Sequence, residues 1–361
     1  MERHVSLLLG QLKNSVAVDN IVSNDVAKTV VAEADGYRIY KTRSYGLLAS
    51  VPISPLLPVL ARKLWRQNRY DIAHLHFPDP LAHLATYFLP RSAKIVISWH
   101  SDVVRQKNLL ALYQPFLDHL VRRADAVIAA TPAHFTSSTQ LRSAPRDRLH
   151  VVPYGIDYSA FDKSPEVEAA AMKIRAAYPG KKIIFSVGRH VYYKGFEYLI
   201  RAMTSVPNAV LLLGGSGPLD EELSALGSAL NLGDRVFFIG RIPDEDLPAY
   251  YHASDVYCMP SVEKSEAFGL VQLEAMACAK PVVGCELNNG ASYVNRHGET
   301  GLLVPPRDSA GLARALNELL GDESLRIRLG NNGRIRATRK FSLERMTNGT
   351  LAVYRKVIAR A

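Results

Sequence analysis

The sequence predicts an α/β protein made of two doubly wound domains, each with a parallel sheet. Three observations predict it. Short apolar runs rich in Val, Ile and Leu recur along the chain, helical patterns separate them, and the alternation restarts after a turn-rich interruption near residue 155. Strands without polar alternation belong to sheets covered on both faces, and strands joined through helices make such sheets parallel. A length of 361 residues suits two such domains. Hydrophobic residues at 48% and charged residues at 22% exclude a disordered, collagen-like or coiled-coil chain.

Taken in order, the chain opens on a helix, with Val5, Leu8, Leu9 and Leu12 on one face. Strand runs follow at 16–22, 71–76, 94–99, 125–130 and 149–153, with a helical pattern over 106–123. Pro153-Tyr154-Gly155-Ile156-Asp157 then ends the first series in turn residues. A stretch rich in Ala, Glu and Lys over 160–180 closes on Pro179-Gly180. The second series places strands at 182–187, 209–213, 235–239, 254–259, 280–284 and 302–304, and helices at 194–205, 218–230, 243–252, 268–277 and 308–320. A last helix spans 342–360, with Ser342 as its N-cap. The expected division is a first domain over 1–154, a second over 155–340, and a terminal helix in 341–361 that crosses back to the first.

Charge is uneven. The net charge is +10, of which +8 falls in residues 1–154 and +2 in the remainder. A basic half suits nucleic acid, an anionic membrane or a phosphorylated substrate. The aromatic interleaving of an RNA-binding patch is missing, which favours the last two, with no nucleic-acid partner expected; a merely solvated basic surface is the plainer alternative. Cys258, Cys278 and Cys285 lack CxxC spacing, so neither a disulfide framework nor a zinc site is indicated. No apolar run reaches 18 residues and no signal peptide opens the chain. A soluble, cytoplasmic protein is expected.

The stretch Ser186-Val-Gly188-Arg189-His-Val-Tyr-Tyr-Lys194-Gly195 follows a strand and precedes a helix. Gly188 lets the chain turn at the carboxyl end of the strand, where open α/β sheets bind ligands. Arg189 and Lys194 bring two cations to a helix start with free amides, which suits a diphosphate; solvated surface is the plainer alternative. Without a Lys-Ser/Thr ending this is no Mg-ATP cradle. Leu213-Gly-Gly-Ser-Gly-Pro218 is a second glycine turn, and its spacing is not the GxGxxG of nicotinamide binding. In Ser265-Glu266-Ala-Phe268-Gly269-Leu270, followed by Glu274, free N–H groups of Phe268, Gly269 and Leu270 favour an anion. Glu266, in the loop, suits sugar hydroxyls, and Glu274, about two turns into the helix, suits a vicinal diol such as ribose. His74 and His76 point to one face of a strand. A metal pair is conceivable there, but no third Cys, Asp or Glu ligand accompanies it, so they read as core or cleft-lining residues.

Glu266 and Glu274, separated by seven residues, match the EX7E motif of retaining GT-B glycosyltransferases, and the chain resembles glycosyltransferase family 4. The resemblance runs nearly end to end, through Asp71-Ile-Ala-His74-Leu-His76, Ser98-Trp-His100-Ser-Asp102, Val152-Pro-Tyr-Gly155-Ile-Asp157, Gly188-Arg189…Lys194-Gly195, Gly214…Gly217 and Gly298…Gly301-Leu-Leu-Val304. It implies two Rossmann-like domains facing across a cleft and transfer of a sugar from a nucleoside diphosphate to a hydroxyl, with retention. Gly188, Arg189, Lys194 and the amides of Phe268, Gly269 and Leu270 would hold the diphosphate. Glu266 would hold the transferred sugar and Glu274 the ribose. Arg241 and Ile242 would border the base. His100 would face the sugar from the first domain, with Asp102 a further cleft candidate. The departing phosphate would take the acceptor proton, and the family's enzymes need no bound metal or other cofactor.

The contexts of Tyr154, FPDP and WHSD are similar to mannosyl- and rhamnosyltransferases of bacterial polysaccharide assembly. They imply GDP-mannose or a related GDP-sugar, with a UDP-sugar next. The acceptor would be a glycan or lipid-linked glycan, with peripheral contact at the inner face of the membrane. A nucleotide-sugar 2-epimerase and a non-catalytic nucleotide-sugar binding protein are the rival readings. In the family's pattern a strand and a Gly-Gly loop precede the opening helix. The first strand is therefore expected to be missing, leaving a poorly active, aggregation-prone chain.

Overall fold

The computed structural model describes residues 2–34, 36–48, 51–103 and 107–360. Residues 1, 106 and 361, which end ranges given above, lie outside the described residues. The chain forms two compact units: Met1–Gly155 with Leu343–Ala361, and Ile156–Ser342.

The first unit opens with α1 (Glu2–Leu12), β1 (Asp19–Ser23), β2 (Val30–Ala34), β3 (Tyr37–Thr42) and the short β4 (Leu47–Leu48) and β5 (Val51–Pro52). It continues through α2 (Leu56–Asn68), β6 (Ile72–Phe77), α3 (Pro80–Thr86), β7 (Lys94–Trp99), α4 (Lys107–Arg123), β8 (Ala126–Ala129), α5 (Pro132–Ser137) and β9 (Leu149–Val151). β6, β7, β8 and β9 pair in that order, all parallel. Side chains alternate across a strand, and β7 shows it. Ile95, Ile97 and Trp99 pack with Leu117, Leu120 and Val127 on one face. Val96, between them, joins Ile128, Leu8, Leu12 and four residues of the last helix on the other. The run expected as a strand at 16–22 does form one, β1, but outside this sheet. It pairs with β3, which β2 joins antiparallel. Asp19 on β1 binds Arg38 of β3 at 3.0 Å and accepts from the Tyr70 hydroxyl, which ties the small sheet down.

The second unit runs α6 (Pro165–Ala176), β10 (Lys182–Val187), α7 (Phe196–Ala202), β11 (Ala209–Gly214), α8 (Asp220–Ala229), β12 (Val236–Gly240), α9 (Leu247–Ala253) and β13 (Val256–Met259). Then come α10 (Leu270–Ala277), β14 (Val282–Cys285), α11 (Gly290–Val294), β15 (Gly301–Val304), α12 (Ser309–Gly321) and α13 (Glu323–Lys340). Its sheet, parallel throughout, has the order β12-β11-β10-β13-β14-β15. The order reverses between β10 and β13, and the loops leaving those two strands flank the switch point where doubly wound sheets take ligands. The chain returns to the first unit as α14 (Leu343–Ala359).

α13 had no strong signal in the sequence. It carries Gly330 and Gly333, which weaken a helix, yet Gly330 sits where a side chain has no room and Gly333 where one would be tight. A Cβ on Gly330 would lie 2.0 Å from the Ala279 carbonyl oxygen, and one on Gly333 would lie 3.1 Å from Met276 Cγ.

Candidate active site

At the switch point, β10 delivers Gly188 and Arg189 into a turn that closes on Tyr192–Lys194 before α7. The neighbouring turn after β11 lies directly on it. Gly188 N donates to Gly214 O at 3.2 Å and His190 N to Ser216 O at 3.1 Å, so the β10–β11 ladder continues beyond the strands. The contact requires glycine: Gly215 sits at φ +109, and a Cβ there would be 2.0 Å from Gly188 O. His190 is buried beneath the turn, with Nδ1 2.5 Å from Asp220, which also accepts from Gly217 N. Ile242 packs against Gly214, while Arg241 beside it is exposed.

Lys194 reaches back from its turn. Its Nζ donates to Glu266 Oε2 at 2.6 Å, and Ser261 Oγ donates to the same oxygen at 2.9 Å. The two side chains are 13% and 10% exposed, so the pair is largely withdrawn from water. Asn289, the N-cap of α11, donates to the Glu266 carbonyl at 2.7 Å and holds the loop. Thus the structure joins two residues that the sequence assigned to different parts of a ligand. Arg189 stands apart from them as an exposed cation.

α10 begins at Leu270, two residues later than the pattern suggested, because Gly269 takes φ +71 and starts the helix as its N-cap. Phe268 therefore lies in the loop ahead of the helix, Gly269 caps it, and Leu270 is its first residue. The Phe268 ring is buried against Phe341. Glu274 consequently lies about one turn into α10, not two. It is 1% exposed and accepts from the Tyr251 hydroxyl at 2.9 Å. Burial and the adjacent Glu274 push the Tyr251 phenol well above its ordinary value. Tyr251, Ser261 and Asn289 lie in a helix, strand exit or turn with no motif of its own, and His190, though inside the Gly188–Gly195 stretch, was not singled out from sequence.

In the first unit, His100 follows β7 and is buried. Its Nδ1 lies 2.5 Å from the Tyr154 hydroxyl and its Nε2 2.9 Å from His76 Nδ1. Desolvation and neighbouring histidines hold it far below the usual imidazole range, and burial lowers His76 to about 4 and His4 to about 3. Asp102 accepts from Trp99 Nε1 at 3.0 Å and Ser138 Oγ at 2.6 Å, which braces the loop after β7. His74 is a satisfied histidine, with Tyr354 on one nitrogen at 2.6 Å and Ser98 on the other at 2.8 Å. His76 is different. The third partner sought among Cys, Asp and Glu is instead histidine: His4, from α1, joins His76 and His100.

Two family profiles match this chain: "Glycosyl transferases group 1" over residues 168–336 and "Glycosyltransferase Family 4" over residues 1–160. The chain is similar to a D-rhamnosyltransferase of Pseudomonas aeruginosa, 33% identical over 337 residues, which covers 92% of this chain and 86% of that protein. It is similar to O-antigen chain mannosyltransferase C of Escherichia coli, 30% identical over 345 residues, covering 96% and 91% respectively. Among solved structures, sucrose-phosphate synthase from Thermosynechococcus elongatus matches with a TM-score of 0.81 at 27% identity, covering 99% of this chain and 92% of that one.

Proposed function

The chain belongs to glycosyltransferase family 4 and has the GT-B fold, and on that premise we propose that it transfers a manno-configured hexose from a nucleoside diphosphate to a glycan hydroxyl. It is a hexosyltransferase of polysaccharide assembly. The two named relatives act with mannose and with rhamnose, which is 6-deoxymannose, and this shared configuration supports the choice of sugar. GDP is the favoured nucleotide.

The observation that carries the reading is the Lys194–Glu266 pair at the switch point of the second unit. In the free protein Glu266 holds the lysine charge. An arriving diphosphate recruits Lys194 together with Arg189 and the amides of Phe268, Gly269 and Leu270, and Glu266 turns to the sugar hydroxyls. Glu274 takes the ribose diol, the base lies by Arg241 and Ile242, and His100 of the first unit meets the transferred sugar. As the bond from the anomeric carbon to the diphosphate breaks, negative charge grows on the leaving oxygen, where fixed cations and amides stabilise it most. The acceptor oxygen bonds to the anomeric carbon with retention, and its proton passes to the departing diphosphate. The chemistry assigned to these residues calls on no metal.

The acceptor is a lipid-linked glycan, met at an anionic membrane through the basic first unit. No described helix is long and apolar enough to cross a membrane. Incubating the protein with a panel of nucleotide sugars and following consumption by mass spectrometry tests the donor; turnover of GDP-mannose or GDP-rhamnose is expected. Exclusive use of a UDP-sugar, or epimerised donor without acceptor, refutes the assignment.

A further inference from the structure

We propose that His4, His76 and His100 form a binding site for one divalent transition-metal ion of the zinc and cobalt class. The three rings come from α1, β6 and the turn after β7, and their ligating nitrogens lie within 4.8 Å of one another. His76 Nδ1 is already 2.9 Å from His100 Nε2. A tetrahedral ion with bonds of about 2.0–2.1 Å places its ligand nitrogens about 3.4 Å apart. Side-chain adjustment alone closes the difference. Three neutral imidazoles with no carboxylate or thiolate form a set that zinc, cobalt, nickel and copper accept and magnesium or calcium does not.

A second observation points to a ligand independently. His4 is 7% exposed, and its Nδ1 has no hydrogen-bond partner among the described residues. A buried ring nitrogen left unpaired is rare because its desolvation goes uncompensated. A bound cation removes that penalty. The shell behind the site is also in place. Tyr154 lies on His100 Nδ1 at 2.5 Å, so His100 can carry its proton on that side and turn Nε2, as a lone pair, toward the ion. The proton that bridges His76 and His100 in the free protein then moves to the far nitrogen of the ring that held it, and the rings release no net proton. His74, stacked on His76, has both nitrogens engaged and is excluded from the set. His76 is only partly buried and gives the ion a way in. The fourth position is left for water.

The ion is no part of the transfer chemistry. It would engage His100, the residue that the reading above assigns to the donor sugar, so its consequence for activity, though not its binding, rests on that reading. The test uses the full chain without an affinity tag, titrated with cobalt(II) and followed by visible absorption. The expected result is the intense absorption of four-coordinate cobalt at one equivalent, displaced by zinc, together with a zinc-dependent rise in the melting temperature. His4→Gln and His76→Ala should abolish both signals, His74→Asn should keep them, and Tyr154→Phe should weaken binding by about tenfold or more. Thermal melts without metal identify any variant that has simply failed to fold, and His4→Gln is the mildest of them. Absent bands in the wild type, or bands that persist in both His4→Gln and His76→Ala, overturn the site. Bands without sugar transfer leave the site standing and count against the proposed reaction; transfer without bands does the opposite.

Discussion

Replacing Lys194 with Met strands the Glu266 carboxylate, which is 10% exposed in the intact pair and also accepts from the Ser261 hydroxyl at 2.9 Å on Oε2. At 2.6 Å and an effective dielectric of about 20, the pair attracts by about 6 kcal/mol before desolvation is counted. Withdrawing both ions from water offsets much of that, so the net worth of the pair is small. Breaking it from one side is not: the stranded charge costs about 3–5 kcal/mol. That is a large share of the 5–15 kcal/mol that holds a typical domain together. Adding Glu266→Gln removes the stranded charge while keeping an acceptor for Ser261, so the double variant should recover about 2 kcal/mol or more relative to Lys194→Met alone. The assay is urea unfolding of wild type, both single variants and the double variant at pH 7. Trp65 and Trp99, the two tryptophans of the chain, both lie in the first unit. Their fluorescence follows that unit, and far-UV circular dichroism carries the transition of the other. Additive losses, with no recovery in the double variant, would refute the buried pair as the organiser of this loop.

Gly215→Ala should destabilise the second unit by about 2 kcal/mol or more, since its Cβ would fall 2.0 Å from Gly188 O; Gly180→Ala, with φ +71 and open space, should cost only about 1 kcal/mol, and thermal melts compare them. Glu274→Gln should weaken binding of free GDP by about tenfold in calorimetry, whereas Glu266→Gln should spare it and depress transfer; equal losses contradict the division of roles. His83, buried and bound to Tyr113, is lowered to about 4 in the fold. The unfolded chain therefore takes up a proton between about pH 6.5 and 4 that the folded one refuses. Stability of the first unit should fall with pH across that window by at most about 1.4 kcal/mol per unit from this residue, and less steeply in His83→Asn, as tryptophan fluorescence in urea would read.

The sequence shows those features whose cause is local. The strands of both main sheets stand out because burial on both faces makes them continuously apolar, and Ile183, Ile184 and Phe185 are fully buried as that pattern demands. Glu266, Glu274 and the Gly188–Lys194 turn are legible through their spacing. The β2–β3 hairpin was missed because β2 is mostly exposed and its residues carry no clean alternation. α13 was missed because its glycines answer to Ala279 and Met276, far away in sequence. The same reason hid the Tyr251 contact behind Glu274 and the meeting of His4 with His76 and His100. Each is a contact between elements, and one-dimensional spacing holds no record of it.

The return of α14 to the first unit bears on how the chain is made. Val96 and Ile128 of the sheet, with Leu8 and Leu12 of α1, share one core with Met346, Leu351, Val353 and Val357. On a ribosome adding about 5–20 residues per second, this face waits on the order of ten seconds or more between emergence of β9 and arrival of its cover. The second unit, contiguous from Ile156 to Ser342, has all its strands before then. Synthesis and folding thus run in opposite order: the half begun first is finished last, and through that interval its uncovered sheet face is the surface a nascent-chain chaperone would meet.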